Sequence, residues 1–271
     1  MPAGHFICIT LTVFAEHPFT LGFCDEENML KKRFIELSER AFSKNIYTFT
    51  EFLSPAEQAL LKSCIKGIPY HFDGGYENAE KALAVFGSEE LCGYIESAPI
   101  SYIKIEPCSM KFSGDLAHRD FLGSVMSLGI RRSTLGDLIV KENVAYAPCL
   151  DNIADYICEN LIEIKHTNVR CSKIEHIPED ALPQPVESEF VVASERLDSV
   201  ISSIYKLSRS ESKGLCEHEK VLVGGIPMLS ASYTPKEEDI ISVRGHGKFI
   251  YCGIKLETKK GRLRCTAKIY K

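Results

Sequence analysis

The sequence lacks several features that mark common classes of enzyme and secreted protein. Its eleven cysteines form no C-x-x-C pair, and its eight histidines are dispersed, so no His/Cys cluster has the spacing of metal ligands. No Gly-rich segment has the spacing and Lys-Ser/Thr pair of a P-loop. We therefore expect a cytoplasmic protein with reduced thiols, buried and structural by default at all eleven cysteines, and with neither a metal nor a small-molecule cofactor.

Long apolar segments are absent as well. The first apolar run, residues 6–14, is too short to span a bilayer and has no basic segment before it. We therefore expect no membrane partner. Residues 1–24 are interpreted as a poorly specified leader, with Met29 as an alternative start.

The net charge of −5 conceals an asymmetry between the two ends of the chain. Residues 187–271 contain 15 Lys/Arg and 11 Asp/Glu, a net charge of +4, whereas the remainder carries −9. Residues 240–271 are the most biased segment, with nine basic residues and one acidic residue. A basic end on an acidic protein indicates either a polyanionic partner or a solvated face.

Local patterns divide the chain into an α+β protein of three small domains. Residues 25–98 form the first, an α/β domain with a helix over 28–43 and a second helix that begins with a capping box at Ser54, with Pro55 in its first position. Gly67 is expected to end that helix, and a turn at 74–76 leads to a short apolar run over 82–86.

Residues 99–177 predict the order β-α-β-β-α-β. The strands are expected over 100–106, 137–141, 143–148 and 168–174, and the helices over 116–128 and 152–162. Asp115 is the candidate N-cap of the first helix, and Gly129 is expected to end it. This order is that of ferredoxin-like folds and RNA-recognition motifs (RRM-like).

Residues 178–189 have three prolines, four acidic residues and no apolar period, so we expect an extended acidic linker. Residues 190–271 then predict a third domain of two helices and a sheet. Its helices are expected over 195–207 and 208–218, and its strands over 221–226, 240–243, 249–257 and 262–270.

The middle domain contains a His118-Arg119-Asp120 run that invites comparison with protein kinases. The chain lacks the downstream Asn, the Asp-Phe-Gly motif and the Gly-rich loop with its strand lysine that kinase chemistry requires. We interpret His118 and Asp120 as capping or surface groups rather than an acid–base pair. Because residues 143–148 lack the basic-aromatic signature of base readout, the domain is expected to be a scaffold with an auxiliary phosphate patch. That patch consists of Arg119, Arg131 and Arg132.

The third domain carries the most specific motifs. Arg196-Leu197-Asp198 lies on the first predicted helix, Ser208-Arg209-Ser210 begins the second, and residues 238–244 form a β-stretch. This combination resembles the small RNA-binding domain named from ribosomal small-subunit protein S-four, in which two short helices on a compact sheet present basic residues to RNA. Arg209 lies where helix N–H groups and the positive dipole end favour phosphate, although a surface ion pair is its alternative role. Since residues i and i+2 do not face each other on a helix, Arg196 is expected either to contact RNA or to pin the sheet.

A basic hairpin follows these helices. Strand alternation predicts Arg262 and Arg264 on one face, next to a turn at 258–261. Phe249, Tyr251 and Tyr270 could stack on bases, but core packing is the favoured role of each. The candidate RNA-binding residues are Arg196, Ser208, Arg209, Ser210, Lys213, Arg244, Lys248, Lys259, Lys260, Arg262 and Arg264.

The order of all these motifs is similar to that of the YlmH family of bacterial RNA-binding proteins, over about residues 25–271. The runs that carry the resemblance include Gly74-Gly75-Tyr76, Leu128-Gly129-Ile130-Arg131-Arg132, Gly136-Asp137 and Thr258-Lys259-Lys260-Gly261-Arg262. It implies a ribosome-associated protein that binds rRNA and tRNA on the large subunit and acts in the rescue of stalled translation. Two residues depart from the S-four-type pattern, since Glu211 replaces a basic residue and Gly224 replaces an asparagine.

We therefore expect a non-catalytic, monomeric RNA-binding protein. The first alternative is an RNA-modifying enzyme, because such RNA-binding domains are often appended to pseudouridine synthases and methyltransferases. That alternative needs an Asp nucleophile in a strand-loop context or a Gly-rich cofactor loop after a strand, and residues 25–177 show neither. The second is a cell-division adaptor, which the family's genomic setting suggests.

Overall fold

The computed structural model describes residues 19–258 and 261–270, with side chains from residue 25 onward except Phe112. These residues form three sheets with helices packed against them, which confirms the α+β class. No helix in the described ranges is long and apolar enough to cross a bilayer.

The first domain is a three-stranded sheet, in the order β1-β3-β2, covered by helices. Its elements are α1 (Phe19–Lys44), β1 (Thr48–Phe49), α2 (Pro55–Cys64), β2 (Tyr70–Asp73), β3 (Leu83–Phe86) and α3 (Glu89–Cys92). Helix α1 begins at Phe19, not at residue 28, so the expected leader is helical in its last residues. The capping box at Ser54 is confirmed, since Glu57 accepts from the Ser54 N–H at 2.7 Å. All four residues of β3 are buried, because this apolar strand lies at the centre of the sheet.

The middle domain has the predicted order β-α-β-β-α-β, with one added strand. Its elements are β4 (Ile100–Pro107), α4 (His118–Ser127), β5 (Ile139–Lys141), β6 (Val144–Leu150), α5 (Asp151–Asn160), β7 (Glu163–Ile164) and β8 (Thr167–Ile174). The sheet is antiparallel, in the order β5-β6-β4-β8-β7. The prediction that Asp115 caps α4 is wrong: the N-cap is Ala117, whose N–H donates to Asp120 at 2.8 Å. Gly129 follows this helix with φ +78°, as its expected role as a terminator requires.

The predicted linker is shorter than 178–189. Strand β9 (Val186–Val192) already belongs to the third sheet, so the acidic residues Glu187 and Glu189 lie on an edge strand. The preceding segment packs on the middle domain, where Ala181 is buried beside Ile139. The segment before β9 is therefore docked rather than extended in solvent.

The third domain packs two helices on one face of a six-stranded sheet. Its further elements are α6 (Leu197–Tyr205), α7 (Arg209–Glu217), β10 (Val221–Val223), β11 (Ile226–Pro227), β12 (Ile240–Val243), β13 (Gly247–Glu257) and β14 (Leu263–Tyr270), in the sheet order β11-β10-β12-β13-β14-β9. The single strand expected over 221–226 is divided in two, because Gly224 and Gly225 both have positive φ and form a tight turn.

Specific contacts join the first domain to each of the other two. The carboxylate of Asp137 accepts from the Tyr76 hydroxyl at 2.9 Å and from the Glu80 N–H at 2.6 Å, which ties the first domain to the middle domain. On the other side of Glu80, its carboxylate lies 2.8 Å from Lys248 Nζ in the third domain. The loop that contains Glu80 therefore connects all three domains.

Candidate nucleic-acid interface

A buried carboxylate organises the start of both helices in the third domain. The Asp198 side chain is 4% exposed and accepts from Arg196 Nε and Nη2, each at 3.2 Å, and from Arg209 Nη2 at 2.9 Å. Arg209 Nη1 also donates to Ser199 Oγ at 3.2 Å. Burial alone would raise the pKa of Asp198, but the two arginines lower that pKa below its ordinary value. We call Arg196, Asp198 and Arg209 the arginine clamp.

The clamp corrects the expectation for Arg196. Arg196 is the N-cap of α6, with an extended backbone at φ −63° and ψ 142°, so the helical rule for i and i+2 neighbours does not apply to it. Arg209 has the ionic partner that its alternative role predicts, and its side chain remains 50% exposed, so its role at phosphate stays a prediction. Each guanidinium carries five N–H donors and uses two of them, Arg196 for Asp198 alone and Arg209 for Asp198 and Ser199.

The start of α7 explains why Glu211 departs from the S-four-type pattern. The Ser208 hydroxyl accepts from the Glu211 N–H at 3.1 Å, and the Glu211 carboxylate accepts from the Ser208 N–H at 2.9 Å. This capping box lowers the pKa of Glu211, chiefly through the hydrogen bond from the Ser208 backbone. Glu211 thus stabilises the helix, and it places a negative charge in the first turn of α7.

Basic side chains extend the clamp along the helix. Lys213 lies four residues after Arg209 and therefore on the same side of α7, with its side chain 59% exposed and its ammonium 3.3 Å from Glu217. Ser210 is exposed in the first turn between them. Arg196, Arg209, Ser210 and Lys213 are all exposed and lie on α7 or at the start of α6, and we call these four residues the helix surface.

Two further candidates, Lys248 and Arg264, lie away from the helix surface. Strand alternation places Lys248 and Arg264 on the sheet face opposite the helices. Lys248 is 18% exposed, pairs with Glu80 and lies 4.3 Å from the centre of the Tyr270 ring, so it joins two domains. Arg264 Nη1 lies 3.6 Å from Glu189, which also binds Lys255. The acidic part of β9 therefore partly neutralises the basic hairpin.

The remaining basic and aromatic candidates of the third domain differ in their exposure. Arg244 and Arg262 are exposed, whereas Lys259 and Lys260 lie outside the described residues. Phe249 and Tyr251 are fully buried, so the preference for core packing is confirmed for both. Their rings are not available to stack on bases.

The three arginines of the predicted auxiliary phosphate patch have different environments in the structure. Arg132 donates to the carbonyl groups of Leu135 and Gly136 at 2.6 and 3.0 Å, and burial lowers the pKa of its guanidinium, so it supports the local backbone. Arg131 pairs with Glu51, while Arg119 is 88% exposed. Only Arg119 and Arg131 therefore present charge to solvent.

The remaining groups of chemical interest have structural roles. Asp120 binds Lys165 at 2.7 Å in addition to its contact with Ala117, which agrees with a capping role rather than acid–base chemistry. No group of three or more His, Cys, Asp or Glu in the described ranges could hold a metal ion. The nine cysteines from Cys64 to Cys265 are free, but Cys108 is exposed, so the expectation of burial at every cysteine is wrong.

Comparison with known proteins identifies two domains. Residues 99–177 match the family model described as "Putative RNA-binding domain in YlmH", and residues 195–241 match the S4 domain. The resemblance drawn from the motifs is confirmed for these ranges.

One curated relative and one solved structure extend the comparison. The "Ribosome-associated protein quality control protein P2" of Bacillus subtilis (strain 168) is 29% identical over 224 residues, which span 80% of this chain and 85% of that protein. The structure of "Cell division protein ylmH from Streptococcus pneumoniae" is 19% identical, with a TM-score of 0.44 over 63% of this chain and 96% of its own.

Proposed function

Since the chain carries a YlmH-type RNA-binding domain followed by an S4 domain, we propose that it is a non-catalytic protein that binds structured RNA on the large ribosomal subunit. Its ligands are rRNA and tRNA, and its role is the rescue of stalled translation in the cytoplasm, as a monomer. The relative in Bacillus subtilis supports this role, because it is a ribosome-associated protein quality control protein.

The observation that carries the proposal is the arginine clamp. Asp198 fixes the positions of two guanidinium groups whose remaining donors are free to point outward. A fixed arginine loses less conformational entropy when it binds phosphate than a mobile lysine does. One carboxylate neutralises only one of the two guanidinium charges, so the clamp keeps a net positive charge that favours a polyanion.

A salt titration tests this assignment. We expect binding of rRNA from purified large subunits to weaken steeply as salt rises, because each phosphate contact releases counterions. Arg209→Ala and Lys213→Ala should each weaken binding by roughly tenfold or less and reduce the salt slope by about 1. Arg33→Ala is the matched control, because Arg33 lies on α1, away from the clamp, and pairs with Glu36. Equal affinity and slope in all four proteins would contradict the site.

The non-catalytic part of the proposal has its own test. Purified protein is incubated with tRNA and rRNA from large subunits, and the digested nucleosides are then analysed by mass spectrometry. We expect no new modified nucleoside. A modification that appears only with the protein would favour the RNA-modifying alternative.

A further inference from the structure

A cleft lies between the first and third domains, on the sheet face opposite the arginine clamp. It has a volume of about 430 Å³ and is bounded by the start of α2, the loop at 78–80 and strands β10, β12 and β13. That volume is within the range of roughly 300–1,000 Å³ that is usual for sites of small ligands. The cleft is therefore large enough for one nucleotide.

Some polar groups of the cleft are already used within the protein. Glu80 pairs with Lys248, and the Gln58 amide donates to the carbonyl groups of Leu53 and Glu80 at 3.0 and 2.7 Å. Ser54 is engaged in its capping box. These groups stabilise the walls of the cleft, and most of their hydrogen-bonding capacity is used within the protein.

Four other polar side chains of the lining are available. Arg244 is exposed, and among the described residues its guanidinium has no hydrogen bond or ionic partner. The Asn78 amide and the Ser242 hydroxyl likewise make no side-chain hydrogen bond within that part of the chain. The Lys62 ammonium lies 5.4 Å from the centre of the Phe72 ring, a contact that leaves its charge uncompensated. The cleft thus combines two cations with an amide and a hydroxyl.

The rest of the lining is apolar. Leu222 and Ile240 come from neighbouring strands, and Ile240 is 46% exposed although it is a large aliphatic side chain. Ala59 and Pro55 lie on the opposite wall. A flat ring between these walls would cover the exposed aliphatic surface while its polar edge reached Asn78 or Ser242.

From this arrangement we propose that the cleft binds one unpaired nucleotide of the RNA that the third domain recognises. The apolar walls enclose the base, the amide and hydroxyl contact its edge, and Arg244 with Lys62 binds the adjoining phosphate. This inference rests on the proposed RNA-binding function, and it gives the first domain a direct part in recognition. It also explains the separation of Arg244 from the helix surface, since the two would contact different parts of one RNA.

Affinity measurements test the cleft with variants of the first domain. The probe is rRNA from large subunits, and the variants are Lys62→Ala and Asn78→Ala in the full chain. Lys66→Ala is the matched control, because Lys66 is an exposed lysine of the same segment that does not line the cleft. We expect Lys62→Ala to weaken binding about three- to tenfold and to lower the salt slope by about 0.7–0.9, with no change for Lys66→Ala. Equal effects at Lys62 and Lys66 would overturn the site.

Photo-crosslinking provides a second, independent readout. The same rRNA is prepared with 4-thiouridine, crosslinked to the full-length protein and analysed by mass spectrometry of the attached peptides. We expect crosslinks on peptides 54–62, 78–80 or 240–244, besides those of the helix surface. Crosslinks confined to α6 and α7 would overturn the inference and leave the proposed function intact.

Two further results separate the remaining possibilities. If uridine monophosphate binds in the cleft but rRNA does not crosslink there, the ligand is a free nucleotide. That result would contradict the proposal that the nucleotide belongs to a bound RNA. If neither Arg209→Ala nor Lys62→Ala changes the binding of rRNA, the proposed function fails together with the inference. Loss with Arg209→Ala alone refutes only the cleft.

Discussion

The Nη2 atom of Arg209 lies 2.9 Å from Oδ2 of Asp198, so the first residue of α7 is held by a carboxylate in the first turn of α6. Arg196 donates to the same oxygen from the other side. One buried aspartate therefore aligns two short helices and orients two exposed guanidinium groups. We therefore expect a change at Asp198 to alter both stability and RNA affinity, and the first prediction concerns stability.

Asp198→Asn should lower the free energy of unfolding by about 1–3 kcal/mol, because it removes the charge from hydrogen bonds that two arginines make to a buried group. Chemical denaturation measures this change. Asp155→Asn is the control, since Asp155 is 71% exposed and its pair with Lys173 should be worth less than about 1 kcal/mol. Similar losses in both variants would show that Asp198 has no special role.

The lowered pKa of Asp198 predicts how this difference depends on pH. A carboxyl group with a folded pKa below its unfolded value of 3.8 stabilises the protein above that value, and the effect is lost as pH falls through the folded pKa. The stability difference between wild type and Asp198→Asn should therefore be largest near neutral pH and shrink below about pH 4. Denaturation curves at pH 7 and at pH 3 provide the measurement. A difference that is constant or larger at pH 3 would contradict the ion pairing.

Glu211→Lys should lower the stability of the protein and raise its affinity for RNA. The substitution removes half of the capping box and places a positive charge at the start of α7, so we expect a loss of about 1 kcal/mol in the free energy of unfolding. The same charge adds a phosphate contact beside Arg209, so binding of rRNA should strengthen and its salt slope should rise by about 1. Glu211→Gln separates the two effects, since it retains an acceptor for the Ser208 N–H without the added cation. Weaker binding by the lysine variant would show that RNA does not approach this helix.

The turn at Gly225 tests the contact between the first and third domains. Gly225 has φ +84°, and an added Cβ would lie 2.4 Å from Pro55 Cβ and 2.7 Å from the Ala56 nitrogen. Gly224 has φ +56° and open space around an added Cβ, so it controls for the backbone cost alone. We expect Gly225→Ala to cost about 1–3 kcal/mol more than Gly224→Ala in thermal or chemical unfolding. Equal costs would show that the turn does not pack on α2.

Local patterns predicted much of the fold, because they depend on neighbours in sequence. The capping box at Ser54, the helix start at Ser208 and the β-α-β-β-α-β order follow from short-range rules. The candidate site was harder to predict from the sequence, because its geometry depends on contacts between segments. Nothing near Lys248 in sequence indicates that its partner is Glu80, and Arg196 pairs with Asp198 only because it precedes the helix.

Crosslinking in cells tests whether the arginine clamp binds ribosomal RNA and tRNA, as we propose. Tagged wild-type protein and the Arg196→Ala/Arg209→Ala variant are crosslinked by ultraviolet light, matched for soluble protein, and the attached RNA is sequenced. We expect wild type to enrich rRNA of the large subunit and tRNA, and the variant to lose most of this enrichment. Equal enrichment by the two proteins, or no enrichment by wild type, would contradict this proposal.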